Sequence, residues 1–131
     1  MIDALRDANL QPSDIGYINA HGTSTPMNDP SETQGIYKAF GDYAMTVPVS
    51  STKSMMGHLV AACGAVEVIV ALMAIRDCRL PPTRNLDEVD PACELNHIRD
   101  GVLKVEIEHA MSNAFGFGGS SGTVVVSRWR S

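Results

Sequence analysis

Residues 50–76 read SSTKSMMGHLVAACGAVEVIVALMAIR, a polar, turn-forming opening followed by a long apolar run. The pattern predicts a helix over residues 59–76, with His58 delivered into its first turn by the segment 50–57. Glu67 is the single charge in that helix before Arg76. A helix apolar almost all round is either a membrane span or a core element covered on every side. Glu67 near the midpoint would cost about 2.5 to 3.5 kcal/mol in a bilayer, and the flanks carry no aromatic belt. The stretch is therefore expected to be the central buried helix of a soluble domain. The positive end of the helix dipole disfavours imidazolium, so His58 is expected to stay a neutral N–H donor near pH 7. Glu67 needs a partner in such surroundings, and Lys53 is the nearest candidate in sequence. Cys63, inside the predicted helix, reads as core packing.

Working outward, 131 residues suit one domain able to bury roughly two thirds of its unfolded surface. Ten Lys and Arg against fifteen Asp and Glu leave a formal charge of −5. No basic run interleaved with aromatics suggests nucleic acid. The opening MIDALRDANL lacks the basic-then-apolar order of a signal peptide, and no membrane attachment is expected. Cys63, Cys78 and Cys93 are odd in number and lack zinc-like spacing, so free thiols in a reducing cytoplasm are expected, with no metal.

Residues 1–9 fit a short amphipathic helix, and residues 15–20 (IGYINA) a buried strand. His21 follows that strand on the turn HGTSTPMND, where α/β proteins usually keep their chemistry. Asp29, Pro30 and Glu32 then spell a helix start, with Asp29 as N-cap and Glu32 closing a capping box. That helix should end at Gly41. Residues 46–50 (TVPVS) suggest a brief strand, at an edge because of Pro48. Residues 80–99 are loop-rich, and 102–107 can form a short strand. Residues 109–114 and 123–129 read as strands joined by the bend GFGGSSG. The order implies an α/β fold with a mixed sheet covered by helices. His21 and His58 are the pair worth weighing: each alone is a structural polar group or a catalyst, and together, on Gly/Ser/Thr-rich turns, they favour chemistry. GFGGSSG is a tight hairpin or a set of amides for a developing oxyanion, and not a dinucleotide fingerprint.

Four motifs occur in order: NAHGTSTPMND (residues 19–29), SSTKSMMGH (50–58), the helix with Gly64, Ala65 and Glu67, and NAFGFGG (113–119). Together they resemble the C-terminal part of the β-ketoacyl-acyl-carrier-protein synthases, above all synthase II of fatty acid synthesis, along essentially the whole of residues 1–131. The resemblance implies half of a thiolase-like fold. It also implies decarboxylative Claisen condensation: an acyl chain rides on a cysteine, a malonyl thioester loses carbon dioxide, and the carbanion attacks the acyl thioester. By motif, His21 and His58 resemble the pair that binds the malonyl thioester carbonyl, with Lys53 and Glu67 as supporting charges. Thr23 and Thr25 match positions that bind the phosphopantetheine arm, which arrives on the acyl carrier protein, so no resident cofactor is implied. Phe117 matches the gating phenylalanine, its N–H matches one oxyanion donor, and Asp29 and Glu32 match further acidic positions. The resemblance also places the nucleophilic cysteine in an N-terminal half, together with much of the interface of a homodimer. The 131 residues lack that half and the first strand of their own, so the chain is expected to be inactive alone. Ser120 and Ser121 stand where the family usually has Thr-Asn. The rival readings are a polyketide-type ketosynthase fragment and a non-catalytic, chain-length-factor-like partner subunit.

Overall fold

A computed structural model describes residues 1–130. After α1 (Ile2–Ala8) come β1 (Ile15–Asn19), α2 (Asn28–Phe40), β2 (Val49–Ser50), α3 (Lys53–Met56) and α4 (Cys63–Asp77). The chain continues through β3 (Arg79–Leu80), β4 (Leu103–Lys104), β5 (His109–Phe115) and β6 (Ser121–Ser127). The main sheet has the order β2-β1-β5-β6. β1 runs parallel to β2 and to β5, whereas β5 and β6 form an antiparallel hairpin, so the sheet is mixed as expected. β2 lies at an edge, which tolerates Pro48, and it keeps only two residues of the five expected. The short strand expected at 102–107 is β4, paired with β3 in a separate two-stranded sheet.

Each face of the sheet has its own core. Leu5, Ile15, Ile18, Ile36, Phe40, Val49 and Met111 pack beneath α1 and α2. Tyr17, Ala71, Ala74, Ile75, Ile107 and Ala110 pack beneath α4. Ile15 and Ile18 share a face although strict alternation would separate them. The register slips between Ile15 and Tyr17, and that irregularity reconciles their odd spacing. Gly16 sits at the slip, where a Cβ would fall 2.5 Å from Ile107 Cγ2.

Two expectations for residues 50–76 are corrected. The α-helix begins at Cys63, not at residue 59, because residues 60–62 form a 3₁₀ turn and Val60 adopts φ +53°. His58 therefore lies before the helix, and the dipole argument for its neutrality does not apply as stated. Nor is the helix covered on every side. Cys63, Glu67, Ala71, Ala74 and Ile75 form its buried stripe, whereas Ile69, Leu72 and Met73 are 54%, 46% and 45% exposed. No helix among the described residues is long and apolar enough to cross a membrane.

An apolar face of this kind is more than isolated monomers usually leave open. The 131-residue chain is expected to self-associate at micromolar concentration, and Leu72→Lys combined with Met73→Glu is expected to reduce that association. A monodisperse monomer of the unsubstituted chain in sedimentation would contradict this.

Candidate active site

The parallel strands β1, β2 and β5 end on one edge of the sheet, and the polar residues of interest gather there. His21 leaves the end of β1, Ser51 to Lys53 leave β2, and Phe115 ends β5. Such carboxyl-terminal edges are where open α/β sheets bind ligands.

Glu32 organises the His21 turn. Its carboxylate is buried and accepts the backbone N–H of His21 and that of Gly22, both at 2.9 Å. Asn113 of β5 donates its amide to the same carboxylate at 3.1 Å. Burial pushes the Glu32 carboxyl above its usual range, and these donors pull it back. The expected capping box is therefore not formed. α2 starts at Asn28 without a side-chain cap, and Glu32 instead turns toward the ends of β1 and β5. Asp29 is no N-cap either: it accepts the N–H of Ser24 at 3.2 Å and the Asn28 amide at 2.9 Å, bracing the turn. Gly22, at φ +41°, is required here because a Cβ would meet Ser51 Cβ at 2.5 Å.

The second support is ionic. Lys53 Nζ and Glu67 Oε1 form a buried pair, as the sequence suggests, joining α3 to the second turn of α4. Burial raises the Glu67 carboxyl, against the opposing hydrogen bond and charge of Lys53. Asn19 Nδ2 donates to the Glu67 carbonyl at 3.3 Å and to Thr52 Oγ1 at 3.4 Å. Tyr17 and Ser50 share a hydroxyl contact of 2.8 Å beneath.

Above these supports the two imidazoles meet edge to face, with ring centroids 5.6 Å apart and planes at 88°. His21 is 6% exposed, whereas His58 is open to solvent. Burial first, then the charges of Lys53 and His58, lower the His21 pKa to about 4, so the ring is neutral at pH 7. His58 Nδ1 accepts the Val60 N–H at 3.0 Å, which leaves Nε2 to carry the ring proton. The structure thus brings His21, His58, Lys53 and Glu67 together. Thr23 and Thr25, whose hydroxyls contact each other at 3.0 Å, line an adjoining cavity of about 690 Å³ with Lys53 and His58. Phe117 is different: at the tip of the β5–β6 hairpin it is wholly exposed, and the ring lying against His21 is that of Phe115, with centroids 5.3 Å apart. Sequence reasoning also missed Asn113, Asn19 and Thr52. Their signal was a run of polar side chains at strand ends otherwise too apolar to expose them.

A family described as beta-ketoacyl synthase, C-terminal domain, matches residues 1–87. The chain belongs to that family. The match to this β-ketoacyl synthase C-terminal domain stops short of β5 and β6, although β5 lies inside the main sheet beside β1. The 3-oxoacyl-[acyl-carrier-protein] synthase 2 of Coxiella burnetii is 50% identical over 128 residues, 98% of this chain and 31% of the relative. That of Synechocystis is 44% identical over 97% of the chain and 30% of the relative. The chain thus spans about three tenths of the length of these relatives. A β-ketoacyl synthase from Burkholderia phymatum superposes with a TM-score of 0.91 at 42% identity, covering 97% of this chain and 31% of that one. A type II polyketide ketosynthase, solved with its acyl-carrier protein and a bound hexaketide, gives 0.94 at 35% identity, covering 98% and 31%. The fold is accordingly the C-terminal part of the thiolase-like ketosynthase fold.

Two outcomes follow from the supports of this domain. Removing one partner of a buried ion pair leaves an unpaired charge, at a cost of about 3 to 5 kcal/mol. Lys53→Met and Glu67→Leu are each expected to destabilise by that order, and the double variant to recover most of the loss. Urea denaturation of all four proteins checks this; a double variant as unstable as the sum of the singles would contradict it. The second outcome concerns pH. The folded value of His21, about 4, lies below its ordinary 6.5, so between them the unfolded chain binds the additional proton. The contribution of neutral His21 is complete above pH 6.5 and is lost as pH falls toward 4. Raised Glu32 and Glu67 act in the opposite sense, as carboxyls that keep protons on folding, so the comparison must be with His21→Gln. Between pH 7 and pH 4.5 the unsubstituted chain should lose more stability than that variant; equal losses would refute the burial of a neutral His21.

Proposed function

We propose that this chain supplies the histidine pair of a 3-oxoacyl-[acyl-carrier-protein] synthase, of type 2 in fatty acid biosynthesis. The observation that carries the reading is the meeting of His21 and His58 in edge-to-face contact over a buried Lys53–Glu67 pair. Decarboxylation of a malonyl thioester breaks the carbon–carbon bond to the carboxylate, releases carbon dioxide and leaves an enolate whose charge sits on the thioester oxygen. Two neutral N–H donors aimed at that oxygen stabilise the transition state more than the ground state. Each is typically worth about 3 to 4 kcal/mol. A lowered pKa at His21 serves this role, because a ring protonated in the ground state would pair with the substrate carboxylate it must release.

The enolate carbon then attacks an acyl thioester, forming the new carbon–carbon bond and expelling a cysteine thiolate. By family resemblance that cysteine, and much of the acyl pocket and of the homodimer interface, lie in sequence N-terminal to this domain, and the domain alone has no condensing activity. Malonyl and acyl groups arrive on acyl carrier protein through its phosphopantetheine arm, with Thr23 and Thr25 hydroxyls along its path and no resident cofactor. Asp29 and Glu32 hold the His21 turn, and the Phe117 N–H is the oxyanion donor the family motif supplies. The likeness to a polyketide ketosynthase at 35% identity makes polyketide elongation the second reading. A non-catalytic partner, such as the chain length factor solved with a Xenorhabdus doucetiae ketosynthase, is disfavoured because it would not require this set of four residues.

The test is a graft. The matching segment of the Coxiella burnetii synthase is replaced by this chain, and condensation of acyl- with malonyl-carrier protein is measured. The chimera is expected to turn over, His21→Ala and His58→Ala each to slow carbon dioxide release at least about 100-fold, and the bare chain to give no product. Undiminished decarboxylation in either alanine variant would refute the assignment.

A further inference from the structure

The thiol of Cys63 has no part in the chemistry just proposed, yet it lies against His58. Cys63 is the first residue of α4 and is buried. Its Sγ accepts the N–H of Leu59 at 3.1 Å and stands 3.5 Å from His58 Nδ1. The Val60 N–H converges on the same ring nitrogen at 3.0 Å, from a backbone at φ +53° that a β-branched residue rarely adopts.

We propose that Cys63 is a positioning residue that fixes the tautomer of His58. A thiol offers one donor and a weak acceptor. Here the sulfur accepts from Leu59, and because Nδ1 accepts from Val60 it has no proton to give, so across the 3.5 Å contact the thiol is the donor. The opposite arrangement, Nδ1–H donating to sulfur, would set the ring N–H head-on against the Val60 N–H. Two donors therefore meet one acceptor nitrogen, and the ring proton is confined to Nε2. The strained turn at Val60 and the buried start of α4 act together: the first brings one donor to the ring, and the second brings the other. Reading the core cysteine as packing alone leaves that convergence without a cause.

The importance of this tautomer for catalysis rests on the proposed function, but its test does not. Long-range ¹H–¹⁵N spectra of the 131-residue chain report which nitrogen of His58 is protonated. The Nε2–H form is expected to dominate in the unsubstituted chain and in Cys63→Ser, which keeps a donor and an acceptor. In Cys63→Ala the Nδ1–H form should rise roughly five-fold, the effect of one neutral hydrogen bond. Cys63→Val keeps the volume without the donor and should behave as Cys63→Ala does, so a failure of the alanine variant to fold leaves the test in force. A tautomer ratio unchanged in whichever of these two apolar variants folds would overturn the proposal. So would a serine variant that behaves like them, or the failure of both to fold while serine folds with the ratio altered. A tautomer that responds, with carbon dioxide release indifferent to His58→Ala in the graft, would support Cys63 and refute the proposed function. The reverse result would overturn the Cys63 role alone.

Discussion

The interaction on which the site depends is the buried pair of Lys53 and Glu67. It joins a one-turn helix after the edge strand to the second turn of a mostly apolar helix, and so fixes where the segment between them, with His58, can run. Such a pair is not an obvious source of stability, since desolvating two ions offsets most of their attraction. Here Glu67 is 1% exposed and its second oxygen, Oε2, has no hydrogen-bond partner among the described residues. The fold tolerates that cost beneath the two histidines. What the pair yields is a fixed positive charge that, after burial itself, is the largest influence keeping His21 neutral.

Glu32 answers from the other face of the sheet. A carboxylate holding the N–H groups of two successive residues fixes the backbone direction of a turn more tightly than its side chains could. Asn113, which donates to the same carboxylate, also accepts the Thr123 hydroxyl at 2.9 Å, so the exit of β1 is tied through β5 to β6. Parallel pairing of β1 with both β2 and β5 is what puts three strand ends together. The two anchors then act on the same ring: Glu32 fixes where His21 starts, and Lys53 with the surrounding burial decides its charge.

The sequence made the mixed sheet, the order of the main helices and strands, and the Lys53–Glu67 pair legible, each for a local reason. β-branched residues mark β6, the isolated carboxylate in an apolar helix demands a cation, and Gly-rich turns mark the strand ends. The errors were also physical. Asp29-Pro30-x-Glu32 is a helix-start pattern, but a carboxylate in the first turn can be captured by backbone donors from a distant strand, and residues 81 apart in sequence decided Glu32. α4 starts later than the apolar pattern implies because Val60 has helix-compatible apolar character while its φ is positive. Periodicity reports which face is apolar; it does not report a left-handed residue. The Cys63–His58 contact was likewise invisible, since it depends on the 3₁₀ turn that this residue creates.

The two rings differ in one respect that bears on the proposed chemistry. His21 is buried, whereas His58 opens to water among Met55, Met56, Leu59 and Val60, which are exposed as well. A donor facing water stabilises a developing oxyanion far less than one in a water-excluded site, because solvent competes for the charge. The apolar residues flanking His58 and the outer face of α4 have the same requirement, namely a surface to cover them. Whatever covers those methionines and leucines also dries His58, so hydrophobic burial and completion of the donor pair are one event rather than two. On the proposed reading, solvent at His58 is therefore one of two things that separate this domain from a working site, the other being the cysteine-bearing segment the resemblance implies.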